Sequence, residues 1–314
     1  MKPIASVRVL APAKINPWLQ VLGRRVDGFH ELDLGYLAVE VCDVVTVHLL
    51  PQQASSAAAA STERIRTHTR GPLASADIAD GPGNLAWRAA ALAWDQAALS
   101  GLLDARAPAV GLLVELEKHI PSQAGLGGAS SDAAAAWLGA RAVLGLGAPT
   151  TAEQAAFAAL GADCAFFASV PTGYAHGRGR GDQLEVLPAR SWHVGLVTPD
   201  VGCPTAQVYA SLGLVPGAPQ RAAGVPPRTG WNDLEAPALR VQPRLSLWRA
   251  ALHEARCDDW FLTGSGSSFC GLYEDASACQ AAVARLEQVL AKAQLSPRLV
   301  RCSVARAGLR VDPL

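Results

Sequence analysis

The feature that most constrains this chain is a run of nine residues, Pro121-Ser122-Gln123-Ala124-Gly125-Leu126-Gly127-Gly128-Ala129, set between two regular patterns. Residues 110–117 alternate apolar and polar, which predicts a half-buried strand. Residues 130–144 are rich in alanine and predict a helix. A strand, a glycine turn and a helix in direct succession leave the first amides of the helix unpaired. Glycines without side chains let an anion approach those amides, and the helix dipole favours negative charge there. Ser130 and Ser131 fall on the first helical turn, where a hydroxyl can cap the helix or touch a phosphate. The order is not G-x-x-x-x-G-K-[ST], because the nearest lysine, Lys118, precedes the glycines. Nor is it G-x-G-x-x-G, so the two common nucleotide fingerprints are both excluded. A tight connection with a serine cap is the plain alternative, and the loop alone does not decide between them.

The rest of the chain supplies context. Residues 7–10 read as a strand, Ala11-Pro12-Ala13 as an interruption, and 15–22 as a resumed extended segment. Residues 39–50 are β-branched and alternating, hence a further strand. Residues 51–61 are low-complexity Gln, Ala and Ser and predict a surface insertion. Residues 84–99 carry Leu85, Ala89, Leu92 and Ala93 at helical spacing. A second glycine turn, Thr263-Gly264-Ser265-Gly266-Ser267-Ser268, separates short strands at 260–262 and 269–273. Residues 214–230 are dense in Pro and Gly and predict a loop or lid beside a site. Strands and helices interleave without a βαβ rhythm, which favours an α+β fold over a doubly wound sheet. At 314 residues, two domains are expected, divided as 1–168 and 169–314.

Charge and cysteine usage narrow the class. The 27 basic and 27 acidic residues cancel, and no block of like charge occurs. That argues against nucleic-acid binding, which needs a basic stripe. With 50% hydrophobic and 17% charged residues, a sizeable core is assured. No apolar run reaches the ~18–20 residues that span a bilayer, and the first residues lack the apolar stretch of a signal peptide. Seven cysteines without a C-x-x-C pair read as reduced, buried thiols. The expectation is a cytoplasmic protein, monomeric or homodimeric, acting on a small molecule without nucleic-acid or membrane partners.

Three segments in order, Pro12-Ala13-Lys14-Ile15-Asn16, residues 121–131 and Leu262-Thr263-Gly264-Ser265-Gly266-Ser267, resemble the signatures of the galactokinase, homoserine kinase, mevalonate kinase and phosphomevalonate kinase superfamily. Within it, Lys14-Ile15-Asn16 followed by Gly23-Arg24-Arg25-Val26-Asp27-Gly28-Phe29-His30-Glu31-Leu32 resembles the 4-diphosphocytidyl-2-C-methyl-D-erythritol kinases. Asn84-Leu85, Gly161-Ala162-Asp163, Pro204-Thr205 and Asn232-Asp233-Leu234-Glu235 extend the resemblance over nearly the whole chain. It implies a two-domain kinase with its active site in the cleft between the domains. It also implies ATP with Mg²⁺, with no resident metal site, and phosphorylation of the C2 hydroxyl of a cytidine-diphosphate-linked polyol.

Site residues follow from the same resemblance. Asp163 is implied as general base and Lys14 as its cationic partner. From the residues alone, a lone carboxylate in an apolar segment beside a lysine could equally be a structural ion pair. Asn16, two residues after Lys14 in an extended segment, shares its face and is expected to touch the polyol. Phe29, His30 and Tyr209 are implied for the cytidine end, with Phe29 standing where relatives usually have tyrosine. Thr205, Gly264 and Ser265 are implied substrate contacts. Asn84, Lys118, Pro121, Gly125, Leu126, Gly127, Gly128, Ala129, Ser130 and Ser131 are implied for ATP. Asn84 is also a good helix cap, and Lys118 could be an exposed strand-end lysine. Two departures stand out: Ala129 replaces a usual glycine, and Gly177-Arg178-Gly179-Arg180 replaces a usual Gly-x-Gly-Glu turn, read here as a solvated hairpin with phosphate contact as the alternative. The rivals are a kinase of homoserine or mevalonate and a catalytically silent nucleotide-binding regulator.

Overall fold

A computed structural model describes residues 2–51, 64–75, 78–103, 110–218 and 228–314. The low-complexity segment expected after residue 51, and the middle of the Pro/Gly-rich stretch at 214–230, lie outside the described residues.

Two sheets and eight α-helices make up the described chain. The larger sheet holds eight strands. Its axis is β3 (His30–Pro51), 22 residues long. One half of β3 lies between β1 (Ala5–Ile15) and β5 (Val110–Glu117), and the other half pairs β2 (Leu19–Arg24) and β6 (Tyr174–Gly179). A strand of that length serves two neighbourhoods because residues 32–39 are all buried and every second residue from Val41 to Leu49 is buried as well. β4 (Ile65–Arg70) closes one edge in parallel with β5, and β12 (Arg310–Pro313) the other, on β1. β7 (Gln183–Val186) forms a hairpin with β6. The smaller sheet is antiparallel, in the order β11 (Leu299–Val304), β8 (His193–Thr198), β10 (Phe269–Tyr273), β9 (Phe261–Leu262).

The sequence break at Pro12 is a bulge inside β1 rather than an end. The register with β3 shifts between Pro12 and Ala13. Proline cannot donate to a ladder, and β12 covers only residues 7–10 of β1, so Pro12 sits where no donor is needed on that side. The division expected at residue 168 falls within the last turn of α4 (Cys164–Ser169), and the large sheet continues beyond it through β6, β7 and β12.

Helix α1 (Leu85–Leu99) starts where Asn84 accepts a hydrogen bond from the Ala86 amide at 2.8 Å. It packs against α2 (Gly128–Leu144), which lies on β1 and β3. The alanines of α2 are what let it lie so close. A Cβ at Gly139 would come within 2.8 Å of Val47. Short helices α3 (Thr151–Ala158), α5 (Thr205–Ala210), α6 (Glu235–Val241) and α7 (Leu245–Glu254) follow, and α8 (Ala276–Lys292) packs on the smaller sheet. A buried apolar group joins the sheets: Ile15, Leu37 and Val39 of the larger meet Val194, Leu196 and Cys270 of the smaller, with Leu126 of the glycine loop among them. That joint fixes both glycine turns at the end of β1. No disulfide joins the seven cysteines, five of which are buried. No helix among the described residues is long and apolar enough to cross a membrane.

Candidate active site

Both glycine turns are in contact, and their glycines are required by it. Gly125 has φ +74°, and a Cβ there would lie 2.3 Å from the Thr263 carbonyl oxygen. Gly264, at φ +56°, approaches the Gly125 carbonyl in return, at 2.9 Å from where its own Cβ would be. The Ser268 amide donates to the Ala124 carbonyl (3.1 Å) and the Lys14 amide to the Leu126 carbonyl (2.9 Å). Strand β1 is thereby stitched to the loop at the residue that carries the ammonium. Gly127, at φ +70°, caps α2, so the helix begins at Gly128 and its first amides open into the cavity. Ala129 adopts no positive φ, so alanine fits this helix start without strain.

Around this frame lies a cavity of about 580 Å³. It is lined by Lys14, Asn16, Asn84, Lys118, residues 121–130, Asp163, Thr205, Tyr209, Gly264 and Ser265. The cavity does not reach three of the expected residues. Ser131 is fully buried beneath the loop with its hydroxyl unpartnered. Phe29 and His30 lie outside the lining. The ring tilted against Tyr209 is that of His30, with centroids 4.7 Å apart, while Phe29 is half exposed and carries the Arg180 guanidinium 4.8 Å above its ring. Of the two rings expected on opposite faces of the cytidine base, Tyr209 lines this cavity and Phe29 does not. Phe29 follows a turn at the surface, where its amide is tied to Asp27 (3.1 Å).

At the centre, the Lys14 ammonium donates to Asn16 Oδ1 (2.7 Å) and stands 3.7 Å from Asp163 Oδ2. Asn16 is held in turn, its Nδ2 donating to the Gly35 carbonyl (2.8 Å) and its amide to the Thr263 hydroxyl (2.9 Å). Asp163 precedes α4 and is not buried: its side chain is 28% exposed, into the cavity. The apolar residues Cys164, Phe166 and Phe167 that follow it are buried in the core. The other Asp163 oxygen accepts a hydrogen bond from the Tyr36 hydroxyl (3.0 Å), a residue that sequence reasoning missed. Burial, with the Asp163 charge adding to it, holds that phenol well above its usual range, so Tyr36 stays a donor.

Lys118 is neither an exposed strand end nor a free cavity lysine. It is buried and donates to both Asp43 and Asp132. Asp43 also accepts the amides of His119 and Ile120, the latter at 2.8 Å, which turns the chain from β5 into the glycine loop. Burial pushes the Asp132 carboxyl up to about 7 against the pull of Lys118. Its Oδ1 has no hydrogen-bond partner. Among the described residues no three His, Cys, Asp or Glu side chains gather into a metal site of their own. A divalent ion brought by a nucleotide would find that one unpartnered carboxylate oxygen. At the opposite wall, the Thr205 and Ser265 hydroxyls are hydrogen-bonded to each other at 2.9 Å. Arg180, in the turn between β6 and β7, also lines the cavity. The sequence left this turn between a solvated hairpin and a phosphate contact; the structure gives a hairpin whose Arg180 faces the cavity.

Residues 84–174 match the family described as GHMP kinases N terminal domain. The chain is 34% identical over 294 residues to the 4-diphosphocytidyl-2-C-methyl-D-erythritol kinase of Geobacter sp. (strain M21), covering 90% of this chain and 95% of that one. It is likewise 34% identical to the enzyme of that name from Moorella thermoacetica, over 88% of this chain and 94% of that one. A crystal structure of a 4-(cytidine 5'-diphospho)-2C-methyl-D-erythritol kinase superposes with a TM-score of 0.62 at 28% identity, covering 98% of each chain. Homoserine kinase from Cytophaga hutchinsonii, at 16% identity and TM-score 0.59, shares the fold.

Proposed function

Because the chain belongs to the family of 4-diphosphocytidyl-2-C-methyl-D-erythritol kinases, we propose that it transfers the terminal phosphoryl group of ATP to the C2 hydroxyl of that diphosphocytidyl polyol. The reading places the chain in isoprenoid precursor synthesis by the non-mevalonate route. The observation that carries it is the placement of Lys14 beside Asp163 in the cavity that the glycine loop and the start of α2 enclose.

Phosphoryl transfer asks the protein mainly for positioning and charge stabilisation. The amides of the loop and of the first turn of α2 hold the triphosphate, and Asn84 lies at the end of the cavity where the adenine would sit. Asp163 orients the C2 hydroxyl and accepts its proton as the oxygen attacks the terminal phosphorus and the bond to ADP breaks. Tyr36 fixes that carboxylate from its other oxygen. Lys14, 3.7 Å from Asp163, is not locked in a tight ion pair. Asn16 takes one of its donors, so others remain for the phosphoryl oxygens on which charge gathers. The Mg²⁺ that accompanies ATP neutralises charge on its phosphates when bound, and Asp132 Oδ1 is the residue oxygen suited to hold it.

Incubation of the protein with ATP-Mg²⁺ and the diphosphocytidyl polyol, homoserine, mevalonate and the free polyol, read by product mass, tests the substrate. Asp163→Asn should keep ATP binding and lower turnover by roughly 10²-fold or more. Turnover within a few-fold of wild type would remove Asp163 from the reaction.

A further inference from the structure

Three side-chain cations line the cavity among the described residues: Lys14, Lys118 and Arg180. Lys118 is occupied by two buried aspartates, and Lys14 stands at the reacting carboxylate. Arg180 has no part in the chemistry described so far.

Its position is fixed from three sides. The turn that carries it is pressed onto Tyr36, since a Cβ at Gly181, where φ is +96°, would lie 2.4 Å from the Tyr36 hydroxyl oxygen. That hydroxyl is the one bonded to Asp163. The guanidinium is oriented by Asp182, whose Oδ2 accepts from Nε (3.1 Å) and Nη2 (2.9 Å), while Oδ1 accepts the Arg180 amide (3.1 Å). Those bonds leave Nη1 outside the pair. On its far side the guanidinium covers the Phe29 ring. Arg180 thus spans from the turn behind the reacting carboxylate to the aromatic residues at 29, 30 and 209.

The substrate assigned above has its charge in the same interval. Its diphosphate joins the cytidine to C4 of the polyol, two carbons from the hydroxyl that reacts. With C2 at Asp163 and the base toward the aromatic residues, the diphosphate must cross the space between. We propose that Arg180 is a specificity-determining residue that binds the substrate's diphosphate, with Asp182 as the positioning residue that aims it. A planar guanidinium held by one carboxylate still offers paired donors to phosphate oxygens, which a lysine ammonium cannot match in geometry. The inference rests on the substrate reading of the previous subsection.

Calorimetric titration of the full chain with CDP and with cytidine, together with steady-state kinetics, separates the possibilities. Wild type should bind CDP about tenfold or more tightly than cytidine, the scale of a charge-assisted bond. Arg180→Gln should bring that ratio close to one and raise KM for the diphosphocytidyl polyol by a similar factor. KM for ATP should stay within about twofold, and Arg180→Lys should recover only part of the ratio. An unchanged ratio in Arg180→Gln overturns the proposal. So does an equal loss for cytidine and CDP, which would make Arg180 a support for Phe29 alone. Wild-type protein that binds neither ligand and turns over no cytidine compound overturns the substrate reading, and this assignment with it.

Discussion

Replacing Lys118 with methionine tests the buried charge cluster beneath the glycine loop. Methionine keeps most of the stem and removes the ammonium. The side chains of Lys118, Asp43 and Asp132 are 4%, 0% and 6% exposed, so water cannot stand in for the lost cation. Asp43 would keep the His119 and Ile120 amides, while Asp132 would lose the one donor that reaches it. Two carboxylates would then face each other in an apolar setting. Breaking a buried ion pair from one side costs ~3–5 kcal/mol. That is a large part of the ~5–15 kcal/mol that separates most folded proteins from unfolding. At ~2–4 °C per kcal/mol for domains of this order of size, Tm should drop by about 6–20 °C.

The loss has a pH signature that distinguishes it from simple repacking. In the variant one carboxyl must take up a proton, so its folded pKa lies above its unfolded value. The folded state then binds more protons than the unfolded one, and stability falls as pH rises. Calorimetric melts at pH 5 and pH 8 should therefore show the larger deficit against wild type at pH 8. A Lys118→Met protein that melts within about 2 °C of wild type at pH 8, or that loses more at pH 5, would refute the assignment of Lys118 as the cation that holds this cluster.

Wild type should show a milder form of the same effect. The Asp132 carboxyl, pushed up to about 7 from its ordinary 3.8, contributes stability at low pH that is lost as pH rises from about 4 to about 7, so Asp132→Asn should flatten urea-unfolding free energies across that window. Gly125→Ala combines a positive φ with an atom 2.3 Å from the Thr263 carbonyl, and should raise KM for ATP about tenfold or more and lower Tm. Gly145→Ala is its control: φ is +79° but nothing lies within 4 Å of the added carbon, so it should cost only the ~1–2 kcal/mol of the backbone conformation and leave KM for ATP unchanged.

The local grammar of the chain was readable wherever one element depends on its own residues. Alternation at 110–117 became β5, the alanine run became α2, and the Asn84 cap sits at the start of α1. The two-residue spacing of Lys14 and Asn16 put both side chains on one face, where they are now bonded to each other. What escaped was set by partners far away in sequence. Residues 30–38 were not read as part of the strand that begins at 39, although Leu32, Leu34 and Tyr36 alternate with Asp33 and Gly35; pairing with β2 and β6 is what makes them continuous with it. Lys118 could not be told from an exposed lysine, since Asp43, 75 residues earlier, decides its state.

Asp163 shows how an inference from neighbours in sequence can fail while the residue itself is placed well. A carboxylate flanked by Cys164, Ala165, Phe166 and Phe167 reads as a buried charge in need of a cation. Yet it stands just before α4, where successive side chains diverge by about 100°. The phenylalanines turn into the core and the carboxylate turns into the cavity. Its environment is made instead by Tyr36 from the middle of β3 and by Lys14 from the end of β1. Lys14 stands 3.7 Å away and the Asp163 side chain stays 28% exposed, an opening that the base proposed above would use. The β6–β7 turn completes the wall only because Gly177 and Gly181 let it lie against the Tyr36 ring. Larger residues at either position would lift the turn from the site, and with it Arg180. The glycines of that hairpin and the arginine they carry to the cavity are therefore one device, legible only once β3 and β6 are paired.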